Sequence, residues 1–201
     1  MTPSQPWYAK YKVDVPVPQT RGDWMIAHFD VSREGSALAA FRDGGRAPCP
    51  GTYTGLEHRG QVIMSDTPAE ICDHLLFIHQ ARGDVLITGL GLGVIVKACL
   101  AKDTVTSVTV IEKSPDVIAM VGPHYACARF QIIEADALVW RPPRGLKWTC
   151  AWHDIWANIC TDNLAEMTQL HRRYGRRVEF QGSWCKDLLL RRRRQEKRWA
   201  R

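Results

Sequence analysis

The 201-residue chain has no cysteines at CxxC spacing, no unbroken apolar run long enough to cross a membrane, and no internal repeat. Each absence removes a class of protein. A membrane helix needs about 20 consecutive apolar residues, and the N-terminal MTPSQPWYAKYK lacks the apolar centre of a secretory signal. A cytoplasmic protein without membrane contact is expected. The seven cysteines (49, 72, 99, 127, 150, 160, 185) are odd in number and scattered, several within apolar segments such as Lys97-Ala98-Cys99-Leu100. They read as buried thiols in a reducing compartment, not as a disulfide framework. Among the histidines only His74 and His79 lie close together, one residue off the i, i+4 pairing of a helical metal site, so no metal is expected.

Excess positive charge is also missing from most of the chain. Residues 188–201, LLLRRRRQEKRWAR, carry six arginines and one lysine against Glu196, which accounts for the whole formal net charge of +6. A nucleic-acid-binding fold spreads its charge over a face. A terminal run reads instead as a solvated tail, offering weak, salt-dependent contact to nucleic acid or an acidic partner.

Four of the eleven prolines fall within residues 1–22, which predicts an extended arm. Over 23–65, short apolar runs (Trp24 to Phe29, Ala37 to Phe41, Gln61 to Met64) cut by Gly and Pro predict a small antiparallel β region. At Asp66-Thr67-Pro68-Ala69-Glu70 a helix should start, with Thr67 as N-cap, Pro68 at the first helical position and Glu70 closing a capping box. The apolar spacing Ile71, Leu75, Ile78 carries it to about Ala81. Strands then fit 84–88, 107–112, 130–134, 149–154 and 177–181, and helices fit 93–101, 115–121, 163–174 and 185–194. That alternation predicts an α/β, Rossmann-like doubly wound, mostly parallel sheet over 66–187, followed by the basic tail 188–201.

The first of these strands, Val85-Leu86-Ile87-Thr88, runs into Gly89-Leu90-Gly91-Leu92-Gly93 and then a helix. Glycines allow positive φ and close approach of a ligand to the backbone, and the free N–H groups of the helix start attract oxygen-rich ligands. Glu112 ends the next strand, 19 residues after Gly93, where an acid can accept two ribose hydroxyls. Asp136 follows the third strand at the same carboxyl edge. A dinucleotide loop would need glycine at position 94, which is valine, so GxGxG points to S-adenosyl-L-methionine and away from a pyrophosphate.

These segments, with Val110-Ile111-Glu112-Lys113 and Glu134-Ala135-Asp136-Ala137, resemble the class I S-adenosylmethionine-dependent methyltransferase superfamily, in particular its spermidine-synthase-like branch. The resemblance implies sheet order 3-2-1-4-5, shortened here by the loss of strands 6 and 7. It implies that Gly89, Gly91 and Gly93 line the methionine and ribose portion, that Glu112 holds the ribose, and that Asp136 and Ala137 lie by the adenine. It also implies that the segment containing Asp66, Glu70 and His74 packs over the active site. Unlike spermidine synthases, this chain has Leu92 in the loop slot that would hold an acid, and its fourth strand ends with one aspartate. A polyamine would therefore lack counter-charge, so methyl transfer is expected over aminopropyl transfer.

In Trp152-His153-Asp154-Ile155-Trp156, the Asp154 carboxylate can orient an amine or hydroxyl and take its proton. His153 and Trp156 are candidate substrate contacts, since aromatic walls exclude water and favour a cation. The expected protein is a methyltransferase acting on a small or accessible acceptor. Its alternatives are a non-catalytic nucleotide-binding protein using the basic tail for a partner, and an enzyme that cleaves adenosylmethionine to methylthioadenosine. A sheet ending at its fifth strand leaves an edge that a C-terminal helix or a second subunit, in a homodimer, should cover.

Overall fold

In the computed structural model, residues 6–37 and 48–199 are described. The apolar run from Ala37 to Phe41 falls almost wholly outside them. The chain first forms strands β1 (Gln19–Arg21), β2 (Trp24–Val31), β3 (Gly51–His58) and β4 (Gln61–Ser65), an antiparallel sheet in that order. The β3–β4 hairpin turns on Arg59 and Gly60, at φ 53° and 76°. Positive φ at both central residues matches the right-handed twist of the flanking strands.

Then follow α1 (Pro68–Gln80), β5 (Gly83–Thr88), α2 (Val94–Leu100), β6 (Val105–Glu112), α3 (Pro115–Val121), a 3-10 turn (Gly122–Tyr125), β7 (Phe130–Glu134), β8 (Cys150–His153), α4 (Asn163–Tyr174), β9 (Phe180–Ser183) and α5 (Lys186–Trp199). The sheet order is β7-β6-β5-β8-β9, every neighbour parallel. Counted from β5 this is 3-2-1-4-5, the Rossmann-like α/β arrangement expected from the sequence. The order reverses between β5 and β8, and a crevice opens outside the strand ends at such a switch point. Val85, Leu86 and Ile87 of the central strand are fully buried, and Phe77 of α1 stacks on Trp152 of β8 at 5.2 Å.

Three expectations change. The N-terminal arm is not simply extended: it contains a 3-10 turn at Ala9–Tyr11 and β1, and Tyr11 and Val15 are buried in the common core with Ile26 and Leu56 of the small sheet. Helix α5 continues through the basic segment to Trp199 instead of releasing it near Arg194. Cys99 and Cys150 are buried, but Cys49, Cys72 and Cys127 are exposed. Strand β9 remains a short edge, with α5 packed against α4. No helix among the described residues is long and apolar enough to cross a membrane.

Candidate active site

A cleft of about 360 Å3 opens at the carboxyl ends of the parallel strands. Gly89 and Gly91 line it after β5, Glu112 after β6, Asp136 and Ala137 after β7, and Asp154 and Trp156 after β8.

The glycine-loop end of the cleft is organised by Glu112. Its Oε2 accepts the Leu90 N–H of the glycine loop and its Oε1 the Ser114 N–H, both at 2.8 Å. Each carboxylate oxygen has a second lone pair, so two further donors can bind without displacing these. The carboxylate thus shapes the loop and faces the cleft. Asp136 is more exposed, and one oxygen accepts the N–H of Leu138 at 2.7 Å in a local turn.

The glycines serve close packing of the protein against itself as much as any ligand. At Gly89 (φ 93°) a Cβ would overlap the carbonyl oxygen of Asp154, so the β5 and β8 turns approach too closely there for a side chain. At Gly93 (φ 79°) it would overlap the ring of Tyr125, whose hydroxyl donates to the Leu92 carbonyl at 2.9 Å. Gly93 accordingly does not line the cleft; it is the left-handed N-cap of α2. Met64 of β4 lies over the loop, its sulfur 3.3 Å from the Leu92 N–H.

At the other end the cleft is acidic and aromatic. Glu70, Asp73 and His74 fall at i, i+3 and i+4 on α1, one helical face. His74 Nε2 lies 3.7 Å from Asp154 Oδ2. Burial, with the charges of Glu70 and then Asp73, raises the Asp154 carboxyl well above the ordinary aspartate range. The Trp156 N–H donates to Glu166 at 2.7 Å and the Trp184 N–H to Asp73 at 3.0 Å, so each indole is anchored on a carboxylate. The counter-charge that the sequence did not reveal in β8 or the glycine loop therefore comes from α1 and α4.

Asp66 is 1% exposed and does not line the cleft, contrary to the role expected for it. Its oxygens accept the backbone N–H groups of Thr54 (2.7 Å) and Val13 (3.2 Å), tying the arm to β3. Glu70 lines the cleft, but the expected capping box is displaced. Its carboxylate accepts the N–H and hydroxyl of Ser65, two residues ahead of Thr67, which makes no side-chain cap. His153 also lies away from the cleft, fully buried between Thr88 (3.1 Å) and Gln181 (3.4 Å). Burial, with the nearby His171, pushes its pKa down to about 3. Trp24, His58, Met64, Glu166 and Trp184 also line the cleft, and no local motif in the sequence singles them out. Only the i, i+3, i+4 spacing of Glu70, Asp73 and His74 offered a signal that α1 carries more than one polar group to the same side.

No family model matches the chain, and no curated protein does. Solved structures similar to it include a spermidine synthase in complex with the transition-state analogue AdoDATO (14% identity, 80% of this chain and 52% of that one, TM-score 0.47). A spermidine synthase from Thermotoga maritima has 15% identity over 80% of this chain and 52% of that one, TM-score 0.45. A DhpI-SAH complex has 22% identity over 54% of each chain, TM-score 0.41. The chain spans about half the length of these proteins.

Proposed function

We propose that the protein is an S-adenosylmethionine-dependent methyltransferase acting on a small acceptor that carries an ionisable N–H or O–H. The observation that carries this reading is the continuity of one cleft from the Glu112 carboxylate, braced on the glycine loop, to the Asp154 carboxyl among acids and indoles. The residues fit the cofactor. Glu112 has lone pairs for two ribose hydroxyls, Asp136 and Ala137 flank the adenine position, and the acidic far end favours a sulfonium. When bound, adenosylmethionine supplies an electrophilic methyl group.

The chain's own residues do the rest. Asp154, once ionised, orients the acceptor and takes its proton; its raised pKa makes that carboxylate a stronger base than an exposed aspartate and moves its action to higher pH. Trp156 and Trp184 exclude water and offer π surface to a cation. Glu70 and Asp73 add negative potential that suits an amine acceptor. The same acids also favour a second reading, aminopropyl transfer to an amine, which has a different by-product.

Incubation with adenosylmethionine and a panel of small amines and hydroxyl compounds, followed by product analysis, tests the proposal. Adenosylhomocysteine formed only with acceptor present is the expected result. Methylthioadenosine without acceptor would assign cofactor cleavage, and its appearance from decarboxylated adenosylmethionine with an amine would assign aminopropyl transfer. Binding of adenosylhomocysteine with no turnover would leave a non-catalytic binding protein.

A further inference from the structure

Helix α5 has two unlike halves. Leu189 is buried in the core, whereas every residue from Arg191 to Trp199 is exposed. Four consecutive arginines, Arg191 to Arg194, step about 100° apart around a helix of 3.6 residues per turn, so their charges encircle it. Lys197 and Arg198 continue the ring one turn on. Among the described residues none of these six side chains is ion-paired. Arg193, Arg194, Lys197 and Arg198 make no hydrogen bond there either, while Arg191 and Arg192 reach only the carbonyls of Asp187 and Ile159. Like charges three and four residues apart repel on a helix, and within the exposed half Glu196, four residues from Arg192 and three from Arg193, is the single acid set against six cations. Trp199, 91% exposed, closes the ring with an aromatic face in solvent.

From this we infer that the solvent-facing half of α5 is a docking surface for single-stranded nucleic acid. Three observations favour that occupant. Charges on all sides of a helix suit a flexible polyphosphate that wraps it, whereas a flat anionic bilayer would engage one side only. The apolar side chains of α5 that a membrane would need lie at its core-packed start, Leu188 to Leu190. An indole beside guanidinium groups offers stacking to bases, which an acidic peptide does not use. The site also has a position relative to the cleft: α5 begins two residues after Trp184, a cleft residue, and Arg192 holds the loop that follows Trp156. A docked strand therefore lies beside the acidic end of the cleft. The inference does not depend on methyl transfer, and its readout is binding.

The test is fluorescence anisotropy of the full chain with a labelled single-stranded 12-mer RNA, across a salt series. With about 0.7 counterions released per phosphate neutralised, six cations give a log–log slope near −4, and affinity falls roughly 300-fold between about 50 and 200 mM salt. Replacing Arg193, Arg194, Lys197 and Arg198 by Gln removes no hydrogen bond or ion pair seen among the described residues and should bring the slope to about −1. Trp199→Ala should weaken RNA binding about 5- to 100-fold while leaving binding to an abasic strand of equal length unchanged. Binding that keeps its slope in the quadruple variant overturns the inference. So does a poly-glutamate peptide or a phosphatidylserine vesicle bound as tightly as RNA, or a Trp199→Ala loss that is equal for the abasic strand.

Discussion

Replacing Glu112 by Gln probes the point on which the glycine-loop end of the cleft depends. Both carboxylate oxygens accept a backbone N–H at 2.8 Å, and the residue is 9% exposed. Gln has nearly the same shape, but its amide must turn an NH2 group toward either Leu90 or Ser114, setting donor against donor. The remaining bond loses its charge assistance. Since hydrogen bonds to charged groups contribute about 1.5–3 kcal/mol, the variant should lose about 2–3 kcal/mol of stability. At about 2–4 °C per kcal/mol for a domain of this size, its Tm should fall by roughly 4–12 °C. Adenosylhomocysteine affinity should weaken by about 1.5–3 kcal/mol as well, because the ribose hydroxyls meet a neutral group in a misplaced loop. Thermal unfolding with and without adenosylhomocysteine, together with calorimetric titration, separates the two effects. A wild-type Tm would refute the carboxylate clamp. A lowered Tm with unchanged affinity would remove Glu112 from the ribose contact.

Asp154→Asn should lower turnover about 100-fold or more with adenosylhomocysteine affinity within roughly 1 kcal/mol of wild type; equal turnover would make Asp154 structural. Because burial raises the Asp154 pKa in the folded state, the folded protein holds a proton that the unfolded chain releases from about pH 3.8 upward, so this residue costs stability as pH rises through that window. The Asn variant should therefore unfold at higher urea than wild type at pH 7, and a lower midpoint would contradict the burial argument. His153 gives the opposite trend: it stays neutral down to about 3 in the folded protein but takes up a proton near 6.5 when unfolded. Stability should drain as pH falls from 6.5 toward 3, by up to about 1.4 kcal/mol per pH unit, and urea titrations of His153→Gln should show a shallower acid slope than wild type. His171, lowered to about 4 by burial and the neighbouring Lys186, adds to the same loss over a narrower window. Gly89→Ala combines a positive φ with overlap of the Asp154 carbonyl, and should cost about 2–4 kcal/mol; a Tm within 2 °C of wild type, at about 2–4 °C per kcal/mol, would show that the β5 and β8 turns can separate.

The order of strands and helices was legible in the chain because it is written in local terms. Val85 to Ile87 is a short apolar run ending in glycine, Thr67-Pro68 opens a helix, and Glu112 and Asp136 follow strands directly. Parallel order then follows from alternation, since each crossover helix must cover a sheet face. What the tertiary structure alone decided is which side chains from distant segments meet. Asp66 and Glu70 look alike in sequence, four residues apart, yet one is sealed by the amides of Val13 and Thr54 and the other lines the cleft. His153 and Asp154 are adjacent, but neighbours on a strand point to opposite faces, which buries the imidazole and leaves the carboxyl at the edge. Glu166, Trp184 and Met64 reach the cleft from α4, from the end of β9 and from the small sheet, across separations that no local periodicity records. Contacts of that kind depend on how the layers pack, and packing belongs to the folded chain as a whole.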